Sequence, residues 1–350
     1  MKSSKTSGTP LIRPYKKFRW ILMGILVLGL ILTIYLFPMF LSKAETSETI
    51  RIPRNATSQM VADSLSKHFG EKYASTVIRS AKLMNTDFKR RHGAYLIPKG
   101  TSALRAARKI GFGAQTPVKI TINGFRDKNL MLKKISNKLD FPTDSLYYWL
   151  NNTDYLSNYD LTPENSLALF LDDTYEVYWS TSAKSVLDKI GENYLRFWTQ
   201  ERRQKASALG RTPAEVSILA SITDEESNAT EEKGTIGRLY NNRLQKGMRL
   251  QSDPTVRFAV NDFTIRRVKG EHLKINSPYN TYKISGLPPG PIRTTGAKTI
   301  DLILNSEPND YIYMCAKEDF SGRHNFAKDY AEHSANAMRY RKALDARGIK

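Results

Sequence analysis

The stretch Ala220-Ser221-Ile222-Thr223-Asp224-Glu225-Glu226-Ser227 ends an apolar run on three consecutive acids, and the placement of those acids decides how the surrounding chain is read. Pro213 stands where the first turn of a helix needs no N–H donor, so the run reads as a helix up to Glu226. At about 100° per residue, Val216, Ile218, Leu219, Ala220 and Ile222 form one stripe, with Glu226 close to its centre. Asp224 falls nearly opposite Glu226, and Glu225 lies at the edge of the stripe. A carboxyl on the apolar face is desolvated, which raises its pKa and lets it keep a proton near neutrality, as a general acid must. The competing reading, a solvated acidic helix end, stays open from this stretch alone.

Downstream, several polar segments read as the walls of one cleft. Tyr240-Asn241-Asn242-Arg243-Leu244 lies on a helix, and Met248-Arg249-Leu250-Gln251-Ser252-Asp253-Pro254-Thr255 joins a loop to another. Ser277-Pro278-Tyr279-Asn280-Thr281-Tyr282 and Gly286-Leu287-Pro288-Pro289-Gly290-Pro291-Ile292 are stiff loops. Amides, Arg and Tyr suit a sugar polymer, whose hydroxyls and acetamides need polar partners and whose ring faces stack on phenols. Proline holds such loops at low entropic cost. Each segment alone is equally well a plain turn. Asp253, ahead of Pro-Thr, is expected to cap the helix that follows.

Upstream, Trp20 to Leu41 carries no charge and is long enough to cross about 30 Å of hydrocarbon. Lys2, Lys5, Arg13, Lys16, Lys17 and Arg19 precede it without an acid, whereas Lys43, Glu45, Glu48 and Arg51 nearly cancel after it. The positive-inside bias places the N-terminus in the cytoplasm, with a single pass of the cytoplasmic (inner) membrane and the remainder outside. Ser42-Lys43-Ala44 has the form of a cleavage site, but the apolar run exceeds the usual signal-peptide core of about 7–15 residues, which favours an uncleaved anchor.

Beyond the anchor, a strand at Thr49 to Ile52, two helices and a strand at Ala94 to Ile97 build a small unit. Thr57 or Ser58 caps one helix, with Met60, Val61 and Leu65 inward; Pro98-Lys99-Gly100-Thr101-Ser102 opens another through Leu104, Ala107 and Ile110. This order resembles a LysM-like module, and an ordinary α+β domain without a ligand fits it as well. The expected organisation is α+β throughout: a basic tail (1–19), a transmembrane anchor (20–41), the small module (47–113), a middle α+β region (117–204) and a larger region carrying the site (205–350). The basic, polar stretch Glu201 to Arg211 separates the last two. Leu167 to Val177 is apolar and β-rich.

The 350 residues carry a formal charge of +20, which invites a nucleic-acid reading, but the charges are scattered and no nucleic-acid motif accompanies them. An exported chain with this balance is better matched to an anionic envelope polymer or lipid surface. Cys315 is the only cysteine, so no intrachain disulfide forms, and its setting Tyr311-Ile312-Tyr313-Met314-Cys315-Ala316 reads as a buried strand. No metal-ligand spacing, Gly-rich phosphate loop or nucleophile elbow is present, so neither a metal nor a cofactor is expected.

The region from Ile218 onward resembles the endolytic murein transglycosylase (YceG-like, MltG) family. The resemblance rests on Ala-Ser-Ile-x-x-x-Glu, Asn-Arg-Leu, Met-x-Leu-Gln-x-Asp-Pro-Thr, Tyr-Asn-Thr-Tyr, Gly-Leu-Pro-Pro-Gly-Pro-Ile and His324-x-Phe326. It implies that Glu226 is catalytic and that Asn242, Arg243, Gln251, Asp253, Tyr279, Asn280, Tyr282 and His324 line a glycan groove. The implied reaction is cleavage of the MurNAc-GlcNAc β-1,4 bond within peptidoglycan strands. It leaves 1,6-anhydroMurNAc ends and halts nascent strands beside the cell-wall synthases. An inert, membrane-tethered glycan-binding scaffold and a water-using muramidase are the alternatives. Three departures from the family's pattern stand out: Asp224-Glu225 in place of a Glu-Lys pair, Asp172 in place of Pro, and Thr295 where Pro often precedes Gly296.

Overall fold

The computed structural model describes residues 14–265 and 267–348 and divides into two compact units, the first of residues up to 117 with 178–180, the second of 118–177 and 181 onward. Most of the expected basic tail, residues 1–13, lies outside the described residues.

In the first unit, α1 (Pro14–Ile31) passes through a wide π turn, Leu32–Leu36, into α2 (Phe37–Leu41). Phe18–Leu41 is therefore a 24-residue apolar helix of mean hydropathy 2.6, long enough to cross a membrane. Pro38 accounts for the wide turn: it offers no N–H and crowds the carbonyl four residues back, and one looser turn relieves both. β1 (Glu48–Ile52), α3 (Ser58–Phe69), α4 (Glu71–Leu83), β2 (Gly93–Ile97) and α5 (Ala103–Gly111) follow, with β1 and β2 antiparallel and Ile50 opposite Tyr95. Thr57 and Ser102 cap α3 and α5, accepting from the amides of Met60 and Arg105. Val61, Leu65, Ala107 and Ile110 are buried as the pattern requires, while Met60 turns outward. Ala44 is only 3% exposed, and its amide and carbonyl are tied to Thr101 and Gly100.

The second unit begins one residue into β3 (Pro117–Ile122), which pairs with β4 (Asp173–Tyr178), and between the two strands run α6 (Lys128–Ser136), α7 (Asp144–Leu150) and α8 (Thr153–Ser157). The apolar stretch from Leu167 is a strand only in its second half; Ser166–Leu169 forms a short helical turn. α9 (Ala183–Phe197) is followed by α10 (Gln200–Ala208), so the stretch read as a separator is a helix. Thr199 caps α10, and Arg202 grips both carboxylate oxygens of Asp301 at 2.7 and 2.9 Å. Buried side chains from Ile120 to Leu304 form a single cluster, so the regions expected at 117–204 and 205–350 share one core.

At its centre is α11 (Pro213–Glu226), opened by a reciprocal capping box between Thr212 and Glu215. Every residue from Val216 to Thr223 is buried, so α11 is enclosed all round and has no single apolar stripe. α12 (Lys233–Gln245), α13 (Asp253–Val260) and α14 (Ala297–Leu304) pack against it. Gly237 lets α12 close on α14: a Cβ there would lie 2.4 Å from Ile303 Cγ1. The chain ends in an antiparallel pair, β5 (Tyr313–Ala316) and β6 (His324–Ala327), and α15 (Tyr330–Ala346). β5 is half-buried rather than buried, Cys315 included.

Candidate active site

The three acids that close α11 meet different chemistry. Asp224 accepts from Lys233 Nζ, Thr299 Oγ1 (2.7 Å) and Thr295 Oγ1 (2.5 Å). Glu225 takes Arg126 Nε at 2.8 Å and Arg293 Nη1 at 2.9 Å on one oxygen, and Arg126 Nη2 at 2.8 Å on the other. Both side chains are only 8% exposed, so neither belongs to a solvated helix end. Opposite Glu226 or not, each is neutralised where it lies.

Glu226 has no such partner. Its Oε1 accepts from the Tyr240 hydroxyl at 2.5 Å and the Ser252 hydroxyl at 2.6 Å, and among the described residues no cation lies within ion-pair distance. Burial pushes its pKa above the ordinary carboxylate value; the two hydroxyls and His324 pull the other way, and the charge of Asp253 adds to the rise. Because both hydroxyls converge on Oε1, Oε2 is the oxygen left to carry a proton.

This carboxyl faces a groove of about 410 Å³, which Arg243, Gln251, Asp253, Tyr282 and His324 also line. Arg243, buried on α12, spends its donors on carbonyls: Nε and Nη2 reach Arg249 O, Nη1 reaches Ile312 O, and Nη2 also reaches Gln251 Oε1 at 2.8 Å. Gln251 sits at φ 54°, a left-handed conformation costly for a side chain, and its amide is fixed to Thr281 O. Asp253 does not cap α13. Ser252 holds the N-cap position, and Asp253 Oδ1 accepts from the Tyr282 hydroxyl at 2.7 Å. His324 places Nδ1 3.1 Å from Glu232 Oε2, while its backbone amide donates to Oε1 of the same carboxylate. Glu232 thereby orients the ring, as a carboxylate does when it selects a tautomer.

The other three residues singled out in the sequence lie outside the groove lining. Asn242 Nδ2 donates to the carbonyls of Asn309 and Tyr311 and so ties α12 to the approach of β5. Asn280 is fully buried, donating to Leu273 and Ile275 carbonyls and accepting from the Tyr282 amide, which shapes the loop that presents Tyr282. Tyr279 packs its ring 4.7 Å from Phe258.

Sequence reasoning passed over Tyr240, Ser252, Glu232, Tyr313 and His333. Tyr240 and Ser252 fall inside the motifs quoted, but which face of α12 meets α11 is a tertiary fact. His333 comes from α15, stacks on Tyr313 at 5.1 Å and lines the groove with a buried Nδ1 that has no hydrogen-bond partner among the described residues. Burial, then Arg243 and Arg341, hold its pKa down.

Comparison with known proteins adds to this geometry. An endolytic murein transglycosylase of Bacillus subtilis is 38% identical over 122 residues, covering 35% of this chain and 33% of that protein. One from Streptococcus pneumoniae (strain D39) is 25% identical over 175 residues, covering 48% and 31%. The matches thus span about a third of the length of these relatives. A crystal structure of a yceG-like protein from Listeria monocytogenes has the same fold, with a TM-score of 0.53 and 22% identity over 83% of this chain and 99% of that one. The YceG-like family model matches residues 50–339, most of the sequence, and the chain belongs to that family.

Proposed function

We propose that the protein is a membrane-anchored lytic transglycosylase that cuts peptidoglycan strands internally. The observation that carries this reading is the contrast at the end of α11: two acids paired with cations, and one, Glu226, held by neutral hydroxyls at the wall of a groove. The endolytic murein transglycosylases among its relatives point to the same substrate.

In the proposed reaction Glu226 Oε2 gives its proton to the glycosidic oxygen between N-acetylmuramic acid and N-acetylglucosamine, and the C1–O bond breaks. The muramyl C6 hydroxyl attacks C1 of its own ring and yields its proton to the Glu226 carboxylate, which restores the acid. The Tyr240 and Ser252 hydroxyls stabilise the carboxylate between the two transfers. Intramolecular attack supplies the effective molarity that a second catalytic group would otherwise provide. Arg243, Gln251, Asp253, Tyr282 and His324 bind the strand. The apolar helix anchors the chain with its basic N-terminal side inside the cell, and the first unit serves as a LysM-like spacer or glycan holder. Ala44, packed and hydrogen-bonded within that unit, is a poor signal-peptidase site, which supports an uncleaved anchor. Held at the membrane, the enzyme meets strands as synthases release them.

A second reading, a water-using muramidase, draws on the carboxylate of Asp253 in the same groove. Digestion in water enriched in heavy oxygen separates the two. The transglycosylase leaves every new muramyl end unlabelled; label at those ends would make the enzyme a hydrolase.

A further inference from the structure

We propose that the first unit dips one end into the outer face of the same bilayer that the apolar helix crosses. This inference rests on the anchoring read above. α4 runs back alongside that helix. Near its start, the Tyr73 hydroxyl donates to Thr101 O, the carbonyl that also accepts the Ala44 amide just past the helix exit. Two turns on, the Arg79 guanidinium lies over the Tyr35 ring, 5.9 Å from its centroid, well inside the apolar span. α4 therefore descends toward the hydrocarbon, and Leu83, one turn beyond Arg79, is deeper still. α5 descends too: its first amide, Ala103, donates to Ser42 O, and its end at Gly111 lies against Thr86, just past the end of α4.

The end where α4 and α5 stop is built for an interface. Leu83 is 67% exposed and Phe112 80%, beside exposed Lys82 and Arg108. The buried Nε atoms of Arg79 and Arg91 have no hydrogen-bond partner among the described residues, and Arg91 lies beside Gly113, next to Phe112. Apolar tips with arginines behind them match the boundary of acyl chains and headgroup phosphates, where long cationic side chains reach back to the phosphate. The span is 24 residues, or about 36 Å of helix, so about one turn extends past about 30 Å of hydrocarbon, and Tyr35, under two turns from Leu41, lies just inside that boundary, close to the aromatic belt.

The test uses the full chain with Cys315→Ser, in nanodiscs of phosphatidylglycerol and phosphatidylethanolamine. Spin labels go on Leu83→Cys or Phe112→Cys, with Leu28→Cys in the span and Lys99→Cys near Ala44 as references. Labels at 83 and 112 are expected to be reached several-fold better by oxygen than by a water-soluble nickel chelate, as at 28 and opposite to 99. Nickel access at 83 and 112 with oxygen access at 28 overturns the dipped end and leaves the anchor standing. Nickel access at 28 overturns both. Protection at 83 and 112 that develops only on adding soluble glycan strands overturns it in favour of a sugar-binding end.

Discussion

The Tyr240 hydroxyl stands 2.5 Å from Glu226 Oε1, bringing the first helix after the acidic triplet onto the one acid of that triplet that lacks a cation. The bond favours the ionised form of Glu226 and so works against the burial that raises its pKa.

Removing that bond has a defined consequence. Tyr240→Phe lets Glu226 hold its proton to higher pH, so the alkaline limb of kcat/KM on glycan strands is expected to move up by about one pH unit, the worth of one hydrogen bond to a charge. Ser252→Ala moves it the same way. A limb that stays in place or moves down would remove Glu226 as the titrating acid.

Glu226 also leaves a mark on stability. Its folded pKa lies above the unfolded value, so the folded chain binds the extra proton and stability falls as pH rises from the unfolded value through the folded one. Glu226→Gln abolishes that loss while keeping an Oε1 that accepts from Tyr240 and Ser252. Denaturant midpoints of variant and wild type should therefore nearly coincide in acid and diverge in favour of the variant as pH rises to neutrality.

The neighbouring acid behaves oppositely. Asp224 and Lys233 form an ion pair with side chains 8% and 16% exposed, so Asp224→Ala strands a buried ammonium. A loss of about 3–5 kcal/mol is expected in denaturant unfolding. A change below about 1 kcal/mol would mean that the pair is solvated.

Much of this site was legible in the sequence, for reasons that individual residues show. Helix caps at Thr57 and Ser102 follow from short-range chemistry, as does the start of α11 at Pro213. Glu226 stood out as an acid in an apolar run. The stripe argument misled at Asp224, because α11 is enclosed on every side and periodicity cannot separate faces that are all buried. What makes Asp224 harmless is Lys233, Thr295 and Thr299, brought in from α12 and α14. The three departures noted in the sequence turn out to be neighbours. Asp172 accepts from Thr294 and Gly124, its amide donates to Thr295 O, and Thr295 donates to Asp224. One polar network replaces prolines and a differently charged pair. Asn242 and Asn280 were read as sugar contacts because amides suit both sugars and backbone carbonyls; composition does not distinguish the two.

The central claim is that one sheltered carboxyl acts as both acid and base without water. Peptidoglycan digested side by side with the wild type and Glu226→Gln, then analysed by mass spectrometry, tests it most directly. The account requires wild-type products whose new muramyl ends are lighter than reducing ends by one water, and no such products from the variant. Reducing ends from the wild type, or turnover by Glu226→Gln near the wild-type rate, would contradict it.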